Sequence, residues 1–202
     1  MTILIAGMYR SGSTLLYNLT RLLCLEAGHD LWAGSWEDHR AGKYAEKDTT
    51  IIKIHHADEA RLRVADLVLC SHRELYGIAG SAIRMKMTTK RPIDVVRFLY
   101  QAVMDYKFYS ASDKCLADFD FVQVTRFPVD ALRTIQQYMG VDLNDARLAA
   151  IAGDAQSLPE YKGPRKCDPV TLMHPKHIAR GRQEVPDDVR AAIRSRFHPW
   201  MR

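Results

Sequence analysis

Apolar residues along this chain switch between two rhythms. Thr2 to Ala6 is a short, partly β-branched apolar run; Gly7 to Thr14 follows, and then Leu15, Leu16, Leu19, Leu22 and Leu23 recur at helical spacing. This predicts a strand, a loop and a helix in direct succession. Gly28 to Asp48 is polar and spotted with aromatics, without a clear period, and reads as loop with a helical piece. Ile51 to His56 and Asp66 to Ser71 read as the second and third strands, Phe119 to Thr125 as the fourth. Strands this uniformly apolar are buried on both faces, as in a parallel sheet covered by helices. Helices are expected over residues 78–86, over Pro92 to Tyr109 with Pro92 in the first turn, and over Pro128 to Met139, which Gly140 stops. Another is expected from Asn144, as its cap, to Ala152, ended by Gly153. Leu158 to Val185 carries four prolines and many charges and reads mostly as loop before a last helix over Pro186 to Phe197. The alternation predicts an α/β fold: a single three-layer domain over residues 1–202 with a mainly parallel central sheet. Its phosphate-binding loop follows the first strand. Ligands of such sheets bind at the carboxyl ends of the strands.

A length of 202 residues fits one domain with a core large enough to need no staples. Cys24, Cys70, Cys115 and Cys167 show no paired spacing, so neither a disulfide framework nor a zinc ribbon is signalled. Reduced thiols and the absence of a leader-like segment point to a cytoplasmic location. No apolar run approaches the roughly 20 residues of a membrane span. The net charge of +5 is unevenly spread: residues 160–202 hold 10 Lys and Arg against 5 Asp and Glu, and the rest of the chain balances. That asymmetry favours an anionic ligand, met by a basic, loop-rich segment (158–202) closing over it.

The sharpest local signal is Gly7-Met8-Tyr9-Arg10-Ser11-Gly12-Ser13-Thr14, placed between strand and helix. Its spacing is that of a nucleoside-triphosphate loop, except that Ser13 stands at the lysine position. Glycines let successive amides point inward, and the following helix offers its positive end, so an anion is held without metal. Ser13 and Thr14 add hydroxyls, and the missing cation reappears inside the loop as Arg10. In the second strand, alternation puts Lys53 and His55 on one face and His56 on the other. An imidazole beside a phosphate loop suits removal of a proton from an attacking hydroxyl.

Tyr9-Arg10-Ser11-Gly12-Ser13-Thr14 resembles the phosphosulfate-binding loop of the sulfotransferases that use 3′-phosphoadenosine 5′-phosphosulfate, PAPS. Lys53-Ile54-His55 looks like the family's Lys-x-His segment, and Arg73 and Ser81 have the spacing of its arginine and serine around the 3′-phosphate. Arg180-Gly181-Arg182 looks like its basic-glycine loop over the same phosphate. The resemblance implies sulfuryl transfer from PAPS to a hydroxyl or amine of a small-molecule or carbohydrate acceptor, with PAP as product and no metal. His55 would be the base, Lys53 and Arg10 would neutralise the transferring group, and Ser11, Gly12, Ser13 and Thr14 would hold the 5′-phosphate. Leu15 departs from the family, whose cytosolic members often have an adenine-stacking tryptophan there, so the base must be held differently.

Two other classes compete. A nucleotide kinase or ATPase would need the missing lysine and an acidic magnesium ligand at a strand end, where Asp66 instead begins its strand. A non-catalytic nucleotide binder has no use for Lys53 and His55 on one face. Nucleic acid is not expected as a partner, because the basic tail lacks interleaved aromatics. His174, His177 and Cys167 match no zinc spacing.

Overall fold

The computed structural model describes residues 1–42, 47–164, 167–173 and 184–198. Among these residues the strands β1 (Thr2–Gly7), β2 (Leu31–Ser35), β3 (Thr49–Ile54), β4 (Leu67–His72) and β5 (Cys115–Asp120) pair in parallel, in the order β2-β3-β1-β4-β5. β1 is central because it is the most uniformly apolar: Ile3, Leu4, Ile5 and Ala6 are all fully buried, which needs cover on both faces. The helices in chain order are α1 (Ser13–Glu26), α2 (Trp36–Arg40), α3 (Glu59–Val64), α4 (Leu75–Arg84), α5 (Pro92–Ser110), α6 (Phe121–Arg126), α7 (Pro128–Met139), α8 (Asp145–Ser157) and α9 (Asp187–Phe197).

Alternation along the strands sorts the core into two layers. Ile3, Ile5, Ile51 and Leu69 face α1, α7 and α8 through Leu16, Leu19, Leu23, Leu132, Ile135 and Leu148. Leu4, Ala6, Ile52, Ile54 and Val68 face the other way, onto Tyr109 of α5. On that side Val95, Leu99 and Val103 pack against Ile78 of α4 and Val189 and Ile193 of α9. The mixed α/β architecture read from the sequence, with a parallel central sheet between helices, is the one observed.

Several boundaries differ. Residues 31–35, read as loop, form edge strand β2, and 36–40 form α2, where Ser35 Oγ accepts from Asp38 N. The fourth strand expected over Phe119 to Thr125 is displaced: β5 ends at Asp120, whose side chain accepts from Val122 N and starts α6. That N-cap overrides the β-branched composition of Phe121 to Thr125. Gly153 does not end α8, which runs on to Ser157.

Candidate functional site

The loops that follow β1, β3 and β4 emerge side by side at the carboxyl edge of the sheet. Gly7 closes β1 against β4, so tightly that a Cβ there would lie 2.3 Å from Ser71 Oγ and 2.8 Å from Ser71 O. Met8 N donates to Ser71 O at 3.0 Å. Ser11 is fully buried; its hydroxyl lies 2.7 Å from Met8 O and 2.8 Å from Ser71 Oγ, which fastens the loop to β4. The backbone turns left-handed at Arg10 (φ 68) and again at Gly12 (φ 86), and α1 then starts at Ser13. No side chain caps α1 and no acid stands in its first turn. The first-turn amides and the positive end of the helix dipole are therefore left for an anion. A Cβ on Gly12 would approach the Phe121 ring to 3.3 Å, so glycine serves both the turn and the space.

Lys53 and His55 project together over this loop. Lys53 Nζ lies 3.0 Å from His55 Nε2, and His55 Nδ1 lies 2.9 Å from Gly7 O. A carbonyl only accepts, so Nδ1 carries the ring proton and Nε2 presents its lone pair to the Lys53 ammonium. Burial is the main cause that brings the Lys53 pKa down to about 8; Cys167 and Glu37 oppose the shift and the charge of Arg10 adds to it. Burial, and then the Lys53 charge, hold His55 well below its ordinary value, so the imidazole is neutral. A neutral imidazole with a fixed tautomer can accept a proton.

On the opposite side of the loop, guanidinium groups converge on Ser81. Arg10 Nε donates to Ser81 Oγ at 2.8 Å, and Arg84 Nη2 reaches the same oxygen at 3.4 Å. Arg73 Nη1 donates to Arg10 O at 3.4 Å and its guanidinium lies 4.0 Å from the centre of the Phe121 ring. Burial lowers the Arg10 pKa, as do the charges of Arg84 and Arg73. Glu74 Oε1 lies 3.6 Å from Arg73 Nε at the rim of this group; cations that repel one another around a hydroxyl can take up a multiply charged anion.

Arg10, Ser11, Gly12, Ser13, Thr14, Lys53, His55, Arg73 and Ser81, singled out from the sequence, thus meet at one edge of the sheet. Arg180, Gly181 and Arg182 lie outside the described residues. Arg84 was missed, although its position three residues after Ser81 puts both on one helical face. Tyr9, His56 and Asp105 were also missed as a group: the Tyr9 ring stacks on His55 at 4.2 Å, and its hydroxyl lies 2.8 Å from His56 Nε2. Along the edge strand β2 runs a cavity of about 460 Å³, lined by Arg21, Trp32, Asp38 and Val170 among others. Its lining includes none of the loop residues Met8 to Thr14. Among the described residues no group of three or more His, Cys, Asp or Glu is placed to hold a metal ion, and no helix is long and apolar enough to cross a membrane.

No family model matches the sequence, and no curated protein matches it. Solved structures do: the chain is similar to mouse sulfotransferase SULT7A1 complexed with PAP, at 13% identity over 98% of this chain and 85% of that one, with a TM-score of 0.68. The fold is sulfotransferase-like. At that identity what is shared is the sulfotransferase-like arrangement of sheet and helices, and the site must be argued from its own residues.

Proposed function

We propose that this chain is a sulfotransferase that moves the sulfuryl group of PAPS to a hydroxyl, or an amine, of a small-molecule or carbohydrate acceptor. One observation carries the reading: a neutral His55, its tautomer set by Gly7 O and its Nε2 facing Lys53, stands directly beside an uncapped phosphate loop. The residues present fit the donor. Amides of the first turn of α1, with Ser13 and Thr14, would hold the 5′-phosphate. Arg73, Ser81 and Arg84 would hold the 3′-phosphate.

In the transfer the acceptor oxygen forms the new O–S bond, the S–O bond to the 5′-phosphate breaks, and PAP departs with that electron pair. His55 Nε2 takes the acceptor proton. Lys53, drawn from the imidazole toward the bound anion, neutralises charge growing on the bridging oxygen, and Arg10 supports it. A sulfuryl group carries one negative charge, so fixed cations suffice where a triphosphate loop recruits magnesium. Tyr9, between His55 and Phe98 of α5, covers one face of the imidazole, so the acceptor reaches Nε2 from outside that face.

Thermal shifts with PAP, AMP and ATP plus magnesium test donor class: PAP should stabilise most, and preference for ATP plus magnesium would indicate a kinase. Transfer from labelled PAPS tests the chemistry. His55→Ala should lose roughly hundredfold or more in turnover while PAP still stabilises it. Undiminished turnover in that variant removes His55 as base.

A further inference from the structure

His56 is the neighbour of His55 in sequence and lives in different surroundings. Its Nε2 lies 2.8 Å from the Tyr9 hydroxyl and its Nδ1 lies 3.5 Å from Asp105 Oδ2. Asp105, on α5, is only 3% exposed. Its Oδ1 accepts from Ala57 N at 2.9 Å and from Gln101 Nε2 at 3.0 Å, while Oδ2 has no hydrogen-bond partner among the described residues. A buried carboxylate oxygen left over in this way favours a proton on the facing Nδ1 of His56, which leaves Nε2 to accept from the Tyr9 hydroxyl. The His56 carbonyl is pinned as well, accepting from Tyr109 Oη at 2.8 Å. Tyr9 is thus tied to α5 through its tip, and its ring lies between His55, stacked at 4.2 Å and 25°, and Phe98, at 5.9 Å.

This bracket matters because two bonds in the plane of the His55 ring hold it, and one of them is temporary. When an anion draws Lys53 away, only the Nδ1 bond to Gly7 O remains, and the ring is free to turn about its χ2 unless something covers its face. We propose that Tyr9 is a positioning residue for His55, held over the imidazole by His56 and Asp105. The inference rests on the reading of His55 as the base.

Long-range proton–nitrogen NMR on the full chain with labelled histidine and PAP bound reads the His55 tautomer directly. In the wild type His55 should show a single Nδ1–H tautomer. In Tyr9→Leu it should show mixed tautomers, with turnover down about tenfold and with acceptor KM and PAP affinity within about twofold of wild type. His56→Ala and Tyr9→Phe should each give the same changes in smaller measure, and His56→Gln, whose amide oxygen can still accept from the Tyr9 hydroxyl, should restore them. Should Tyr9→Leu fail to fold, the pair His56→Ala and Tyr9→Phe decides alone. A His55 spectrum and a turnover like wild type in these variants would overturn the proposal. If the wild type itself transfers no sulfuryl group from PAPS, the functional reading fails, and the nitrogen spectra still report whether Tyr9 positions His55.

Discussion

Lys53 carries a charge that its surroundings oppose. Burial is the main cause, and it brings the folded-state pKa down from 10.5 to about 8. Between those values the unfolded chain binds more protons than the folded one, so this residue makes stability rise as pH climbs through that window. Lys53→Met should therefore be more stable than wild type near neutral pH, by on the order of 1 kcal/mol, with the advantage shrinking toward about pH 9.5. Urea unfolding of both chains at the two pH values measures this, and a gap that does not change with pH rules out the titration of Lys53 as its source. That Lys53 and His55 lie side by side was legible from the sequence, because a period of two fixes which strand residues share a face. The bracket of Tyr9, His56 and Asp105 was not, because it joins residues up to about a hundred positions apart through packing of α5 on the sheet, and no local period encodes such a contact.

At the scale of an element, α1 departs from what a stable isolated helix would choose. Its first turn, Ser13-Thr14-Leu15, lacks an acid, and its N-cap is Gly12, which makes no side-chain cap bond. α8 shows the ordinary alternative: Asn144 caps it by accepting from Arg147 N, and Asp145 stands in its first turn. Thr14→Asp should therefore stabilise α1, by about 0.5 kcal/mol, through its dipole while repelling the anion the loop is proposed to hold. Denaturant melts should show equal or greater stability, and calorimetry should show PAP binding lost; retained PAP affinity would mean that the anion sits elsewhere. The strands the sequence misplaced are the two edge strands. β2 is five residues long with Gly34 inside it, and β5 carries Asp118 and Asp120, so neither shows the apolar run that marked β1, β3 and β4. Interior strands announce themselves by being buried on both faces, and edge strands do not.

For the whole molecule, the sheet order, the two helical layers and the loop after β1 follow from packing rules that many sequences satisfy, which is why a fold can be shared at 13% identity. Charge is the property that those rules leave free. The excess lies in residues 160–202, and near its middle stand Arg180 and Arg182. If this segment serves only to raise the general positive field, neutralising the two arginines will weaken PAP and AMP alike, and modest salt will abolish the difference from wild type. If instead the arginines meet the 3′-phosphate, as Arg73, Ser81 and Arg84 are proposed to do, the loss falls on PAP alone, since AMP lacks that group. Contact is the expected outcome. The double substitution Arg180→Ala with Arg182→Ala should weaken PAP by about tenfold or more, leave AMP within about twofold, and keep most of the difference at raised salt, because charge-assisted hydrogen bonds at short range are screened less than distant charges. Titration calorimetry of both nucleotides at two salt concentrations separates the cases, and equal losses for PAP and AMP would assign the basic segment to steering alone.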